Sequence, residues 1–219
     1  MKLIELNHIS FSYPNEQSQV LSDFSCAFEK GECCAVSGDN GSGKSTLFRI
    51  INGLSFPQNG SYFFDGVEIT KQYLSCNAQA KQFHKRIGFL FQNTDVMLFQ
   101  PTVYDEIAFG PRQLGLSENE IDRRVCDCIS LLGLEAVRNK APYHLSTGQK
   151  KRVALASVLS LNPDVLILDE PLAGLDKTTQ ALFSELFADW KSSEKTLIFA
   201  THDENTLLPL IDRTVLLPK

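Results

Sequence analysis

Nowhere in the 219 residues does an apolar run approach the roughly 18–20 residues needed to span a bilayer. Any membrane role must therefore come through a partner. No secretory leader is expected either: Met1-Lys2-Leu3-Ile4 gives way at once to polar residues, too short a start for a signal peptide. Basic excess is missing as well. The formal net charge is −5, so no positive field advertises a nucleic-acid partner. Internal repeats, low-complexity tracts and linkers are absent. The length allows one or two domains, and 43% hydrophobic content is normal for a chain with a real core.

What is present begins with six cysteines: Cys26, Cys33, Cys34, Cys76, Cys126 and Cys128. Cys33 and Cys34 adjoin in an apolar run and read as strand residues. Cys126 and Cys128 stand two apart on a helical pattern, on different faces, and cannot share a metal. All six read as reduced small hydrophobes, which suits the cytosol.

Phe24-Ser25-Cys26-Ala27-Phe28 alternates at period two, as does part of Lys2 to Ser12, and the first third reads as β structure. Turn signals at Gln58-Asn59-Gly60 and Asp65-Gly66 bracket Ser61-Tyr62-Phe63-Phe64, which predicts a hairpin. Cys33 to Ser37, Ile87 to Phe91, Val165 to Leu168 and Leu197 to Ala200 are nearly continuous apolar runs, suited to strands buried on both faces of a parallel sheet. Helical periodicity between them argues an α/β fold. Ser117 with Glu120 three residues on predicts a capping box. It opens a helix to Gly133 with the stripe Ile121, Val125, Cys128, Ile129 and Leu132, which reads as core packing. A second helix is expected from about Gly148 to Leu161, stopped by Asn162-Pro163. The segment 93–162 reads as a helical insertion into one core built from 1–92 and 163–219, so that 1–219 is a single domain.

Ser37-Gly38-Asp39-Asn40-Gly41-Ser42-Gly43-Lys44-Ser45-Thr46 matches GxxxxGK[ST] in full, between a predicted strand and a predicted helix. Glycines let backbone N–H groups converge on phosphate oxygens without Cβ clashes, and the helix N-terminus adds partial positive charge. Lys44 is placed to reach the β- and γ-phosphates, and the Ser45 hydroxyl to take a coordination site on Mg²⁺. Val165-Leu166-Ile167-Leu168 ends in Asp169-Glu170-Pro171, at the carboxyl edge of the sheet where α/β proteins bind ligands. Neighbouring strand residues point opposite ways, so the two carboxylates are expected to differ in role. Asp169 would hold Mg²⁺, and Glu170 would act as base or orienter for the attacking water. His202, after the strand Thr196 to Ala200, is a candidate to bond the γ-phosphate or orient water. Gln92, ending the strand Ile87 to Phe91, could touch Mg²⁺ or the water and swing away.

In order along the chain, GDNGSGKST, Gln92, LSTGQ, VLILDEP, Gly174-Leu175-Asp176 and Thr201-His202-Asp203 resemble the ATP-binding-cassette (ABC) ATPases over essentially the whole length. The resemblance implies a P-loop NTPase with a RecA-like core, an antiparallel β subdomain and an α-helical subdomain. It implies ATP hydrolysis with Mg²⁺, and Tyr13 stacked on adenine. It also implies a head-to-tail dimer, in which Ser146, Thr147, Gly148 and Gln149 meet the γ-phosphate held by a second ABC ATPase subunit and Asp176 couples the two sites. Local physics agrees, since Ser146 or Thr147 can cap a helix whose amides face an anion. Thr147 departs from the family's second glycine. Either the position needs no positive φ, or the site is weakened.

Phe91-Gln92-Asn93-Thr94-Asp95, Leu98-Phe99, Pro101-Thr102-Val103 and Ala108-Phe109-Gly110-Pro111 resemble the ATPases of energy-coupling-factor (ECF) importers, among them cobalt and nickel importers. Thr94 stands where that subfamily usually has proline. This resemblance implies a transmembrane coupling subunit, a substrate-capture subunit and a place on the cytoplasmic face of the membrane. Met97, Leu98 and Phe99 are expected to line the groove that receives a coupling helix. A minimal cassette, without a regulatory tail, is also implied. The expected function is ATP hydrolysis energising an ECF-type importer of vitamins or metal ions, with a homodimer and a heterodimer both open. The alternatives are the ATPase of another ABC importer or exporter, and a soluble switch acting on nucleic acid or ribosomes; the acidic charge disfavours the last.

Overall fold

The apolar runs become one parallel sheet. The computed structural model describes residues 1–14, 18–201 and 207–218. In chain order the elements are β1 (Lys2–Phe11), β2 (Leu21–Glu29), β3 (Cys33–Ser37), α1 (Lys44–Ile51), β4 (Asn59–Phe64), β5 (Val67–Glu68), α2 (Lys71–Ser75), α3 (Asn77–Arg86), β6 (Ile87–Leu90), α4 (Val103–Gln113), α5 (Glu118–Leu131), α6 (Thr147–Leu159), β7 (Val165–Asp169), α7 (Lys177–Ser192), β8 (Thr196–Ala200) and β9 (Arg213–Leu216). The parallel sheet has the order β6-β7-β8-β3-β9, and an antiparallel sheet has the order β2-β1-β4-β5. This is the α/β fold expected, with the hairpin β4–β5 in place.

Period-two alternation sorts the parallel strands into two cores. Cys33, Ala35, Leu166, Leu168, Leu197 and Phe199 join the cluster that α4 to α7 complete. Cys34, Val36, Val165, Ile167 and Ile198 face the other way, into a cluster closed by α1 and the antiparallel sheet. A sheet buried on both faces needs apolar residues at every position, which is why these runs lacked a polar face. Phe199 is fully buried on β8, next to both β3 and β7. Phe199→Ala is expected to cost about 3–5 kcal/mol, read as a lowered midpoint in urea unfolding.

Residues 71–86 are helical, in α2 and α3, between the apolar runs of β3 and β6. Two expectations change. Ser117 does cap α5, accepting the Glu120 N–H, but the Glu120 carboxylate turns to Arg123 and Arg124. Those bonds pull its pKa down to about 2, and the capping box is half made. The stripe from Ile121 to Leu132 is core, as expected. Cys33, Cys34 and Cys128 are buried thiols that burial pushes up to about 12, whereas Cys76 is exposed at the α2–α3 junction and no core residue. Among the described residues no helix is long and apolar enough to cross a membrane.

Candidate active site

β3 ends at Ser37, and the turn 38–43 leads directly into α1 at Lys44. Gly41 and Gly43 have φ of 83° and 96°, left-handed values that L-residues rarely adopt. A Cβ at Gly43 would also lie 3.0 Å from Val20 Cγ1. The first residues of α1, whose amides have no acceptor within the helix, line the cleft this turn borders. Lys44 donates to the carbonyls of Gly38 (2.7 Å) and Asp39 (3.0 Å). Both acceptors are neutral, so its charge is left to attract an anion.

The Ser45 hydroxyl donates to Asp169 Oδ2 at 2.7 Å, joining the first turn of α1 to the end of β7. Asp169 is 6% exposed. Burial raises its pKa, against the Ser45 hydrogen bond and the charges of Lys44 and Lys151. A buried carboxylate beside a hydroxyl suits a small hard cation, since Mg²⁺ is commonly held by one or two protein oxygens together with substrate phosphates. The pair fits that ion.

Strand alternation does not reach Glu170. Its φ is 50°, so the chain leaves β7 there, and Asp169 and Glu170 border the same cleft rather than opposite faces. This corrects the reading that separated them by strand geometry. The cleft holds about 360 Å³ and is also lined by Tyr13, Asn40, Gly41, Gly43, Lys44, Ser45, Thr46 and Gln92. Tyr13 packs edge-on against Phe11 at 5.0 Å and bonds Thr46 Oγ1 at 3.0 Å. Gln92 is exposed just beyond β6. Gly38, Asp39 and Ser42 do not line the cleft but shape the loop: the Ser42 N–H donates to the Asp39 carbonyl at 3.1 Å. His202 lies outside the described residues.

The LSTGQ turn is not part of this cleft. Ser146 caps α6 and Gln149 returns the bond, a complete capping box (3.3 and 3.1 Å). Thr147 is the first helical residue, and neither it nor Gly148 has positive φ. A β-branched residue is therefore accommodated at Thr147 without backbone strain in this chain. A Cβ on Gly148 would find nothing nearer than 3.8 Å, at Asp176 Oδ2. Asp176 caps α7, accepting the Thr179 N–H at 2.9 Å; bonds from Thr179 hold its carboxyl below the usual range. Two exposed helix N-termini thus stand side by side, away from the chain's own phosphate loop.

Residues 21–173 match the ABC transporter family. The chain belongs to it. As an ABC ATPase it binds and hydrolyses ATP as the ATP-binding subunit of a transporter. The nickel import ATP-binding protein LarO of Lactiplantibacillus plantarum is 44% identical over 98% of this chain and 88% of its own length. The energy-coupling factor transporter ATP-binding protein EcfA of Methanococcus maripaludis is 39% identical over 99% and 76%. Among solved structures, CbiO1 from Clostridium perfringens, part of the ABC transporter complex CbiONQ, has a TM-score of 0.82 at 34% identity, covering 98% of this chain and 84% of that one. An ATP-binding cassette solved as a dimer in a post-hydrolysis state, with ADP and Pi, has a TM-score of 0.88 at 27% identity, covering 98% and 94%.

The ABC cassette has a second concavity, an apolar groove of about 490 Å³ between α3, β6 and α4. Met97 and Phe99 line it, joined by His84, Phe89 and Phe109. Leu98 does not; it packs against the helical-side core. Glu106, unmarked in the sequence reading, is 3% exposed and accepts the Phe99 and Gln100 N–H groups at 2.8 Å each. It thereby fixes the loop that presents Phe99, 64% exposed, edge-on to Phe109 at 4.9 Å. A carboxylate bonding a loop seven residues back along the chain has no local sequence signal. Lys151 was missed for a similar reason: its acceptors, the carbonyls of Glu170 and Ala173, lie about twenty residues on.

Proposed function

We propose that the chain is the ATP-hydrolysing subunit of an ECF-type importer of vitamins or transition-metal ions such as cobalt or nickel, bound to the cytoplasmic face of the membrane. The observation that carries this reading is the apolar groove beside the Gln92 loop. Phe99, Phe109 and Gly110 on its lining belong to the segments that resemble ECF ATPases, and its apolar lining suits an amphipathic helix. The names of LarO, EcfA and the CbiONQ complex point the same way. On this reading 1–219 forms one cassette. Its partners are a second ATPase subunit, a transmembrane coupling subunit and a substrate-capture subunit.

In the mechanism we propose, the loop 38–46 cradles the phosphates of ATP with its amides, and Tyr13 stacks on the adenine. Lys44 leaves the Gly38 and Asp39 carbonyls for the β- and γ-phosphates. Ser45 and Asp169 would hold Mg²⁺, with Gln92 within the same cleft; the bound ion supplies positive charge to the phosphate oxygens. Glu170 accepts a proton from water as that oxygen bonds the γ-phosphorus and the bond to the bridging oxygen breaks, giving ADP and phosphate. His202 would steady the γ-phosphate. The turn Ser146-Thr147-Gly148-Gln149 of a second cassette closes the site, and Asp176 links the paired sites.

Detergent co-purification from the native membrane tests the assignment. A coupling membrane subunit together with a separate small capture subunit is the expected outcome. Two permease subunits without a capture subunit would place the chain in an ordinary ABC importer or exporter instead. Phe99→Asp should abolish recovery of the membrane subunit, at least about tenfold, while the exposed position leaves folding within about 0.5 kcal/mol. The ATPase rate of the isolated chain should stay unchanged.

A further inference from the structure

Two lysines, Lys150 and Lys151, follow LSTGQ and have opposite fates. Lys150 reaches outward to Asp95 at 2.8 Å. Lys151 turns inward and is 3% exposed, an uncommon state for lysine. Its Nζ donates to the carbonyl oxygens of Glu170 (2.7 Å) and Ala173 (3.0 Å). Both belong to the turn that carries the chain off β7, where Glu170 holds φ at 50°. A non-glycine residue persists in that region only where surrounding contacts over-determine it. The contacts are specific. The Glu170 N–H donates to the Ala200 carbonyl at 2.9 Å, the Ala173 N–H donates to the Glu170 carbonyl at 3.3 Å, and Lys151 grips both carbonyls. Of these, Lys151 alone comes from α6, the helix whose N-terminus is the LSTGQ turn.

We propose that Lys151 is a positioning residue for ATP hydrolysis: by clamping the Glu170 and Ala173 carbonyls it holds the Glu170 carboxylate on the attacking water and ties that aim to α6. The inference rests on the reading of Glu170 as the group that handles the water. A shift of α6 when the LSTGQ turn meets a second nucleotide site then reaches the water-handling carboxylate through one side chain. No long chain of residues is required.

Lys151→Met keeps most of the length of the side chain and removes its donors; Lys151→Arg keeps donors. With ATPase turnover and KM measured for each, Lys151→Met should lower kcat about 10–100-fold with KM for ATP within about threefold. Lys151→Arg should recover the rate to within about fivefold of the unmodified chain. A loss of packing alone would not be repaired by the bulkier arginine. In a Glu170→Gln background, single-turnover hydrolysis should show no further loss from Lys151→Met, because the group being aimed is already disabled. A Lys151→Met loss that multiplies in full with that of Glu170→Gln overturns the inference, as does an unchanged kcat or a failure of arginine to rescue. If Lys151→Met is not recovered folded, Lys151→Leu, which also lacks donors, takes its place in the same cycle with the same outcomes. A Glu170→Gln chain that turns over normally would instead sink the reading of Glu170 itself.

Discussion

Glu170→Gln is expected to lower ATP turnover by about 10²–10⁴-fold while ATP binding persists. The substitution keeps the volume of a side chain that is 8% exposed at the cleft, so packing around it changes little. What it removes is the capacity to accept a proton from water as the oxygen reaches phosphorus. The phosphate-binding parts are untouched: the α1 N-terminus, Lys44 over the Gly38 and Asp39 carbonyls, and Ser45 on Asp169. Because binding and chemistry separate, the variant should accumulate ATP-loaded dimers that do not turn over. Equilibrium binding of a fluorescent ATP analogue, steady-state phosphate release and size-exclusion chromatography with ATP would be measured on the same preparation. Hydrolysis at the normal rate would remove Glu170 from the mechanism; loss of nucleotide binding along with turnover would make it a structural residue.

The site was legible in the sequence where its chemistry is local. GDNGSGKST needs only a strand before it and a helix after it, and both are there. The strand runs were legible because burial on two faces leaves no polar position to confuse them. α3 was not: of NAQAKQFHKR only Phe83 is buried, and a helix with one core residue has no stripe to detect. Direction failed where the backbone leaves regular geometry. Glu170 would face away from Asp169 on a continuing strand, but a φ of 50° brings it round to the same cleft. Leu98 and Phe99 are equally apolar, and only the Glu106 carboxylate, by fixing the Phe99 and Gln100 amides, decides which one faces the groove. Lys151 has no local sequence signal; its partners, the Glu170 and Ala173 carbonyls, come from a turn that folding alone brings to α6.

Gly148 supplies the other large effect, and it tests the dimer. Within its own chain a side chain at Gly148 meets only ordinary contacts, the nearest at 3.8 Å, and its φ is not left-handed. Nothing in the subunit's fold therefore asks for glycine there. On the proposed head-to-tail pairing the demand comes from outside, from an anion approaching the capped N-terminus of α6. Gly148→Asp places a carboxylate against that approach and blocks preorganised amides worth about 10²–10³-fold in rate. Folding and ATP binding by the single subunit should survive, with thermal denaturation and nucleotide titration both near normal, while turnover and ATP-driven dimerisation fail. Mixing then locates the partner of the turn. A Gly148→Asp chain combined with a Lys44→Met chain can form one intact site, from the phosphate loop of the first and the LSTGQ turn of the second. If the cassette pairs with itself, the mixture should regain up to about half the activity per dimer formed, where each variant alone is inactive. If it pairs with a related ATPase, the mixture stays inactive and only addition of that second chain restores turnover. If Gly148→Asp alone hydrolyses ATP at the normal rate, the turn faces no nucleotide at all and the head-to-tail dimer falls with it.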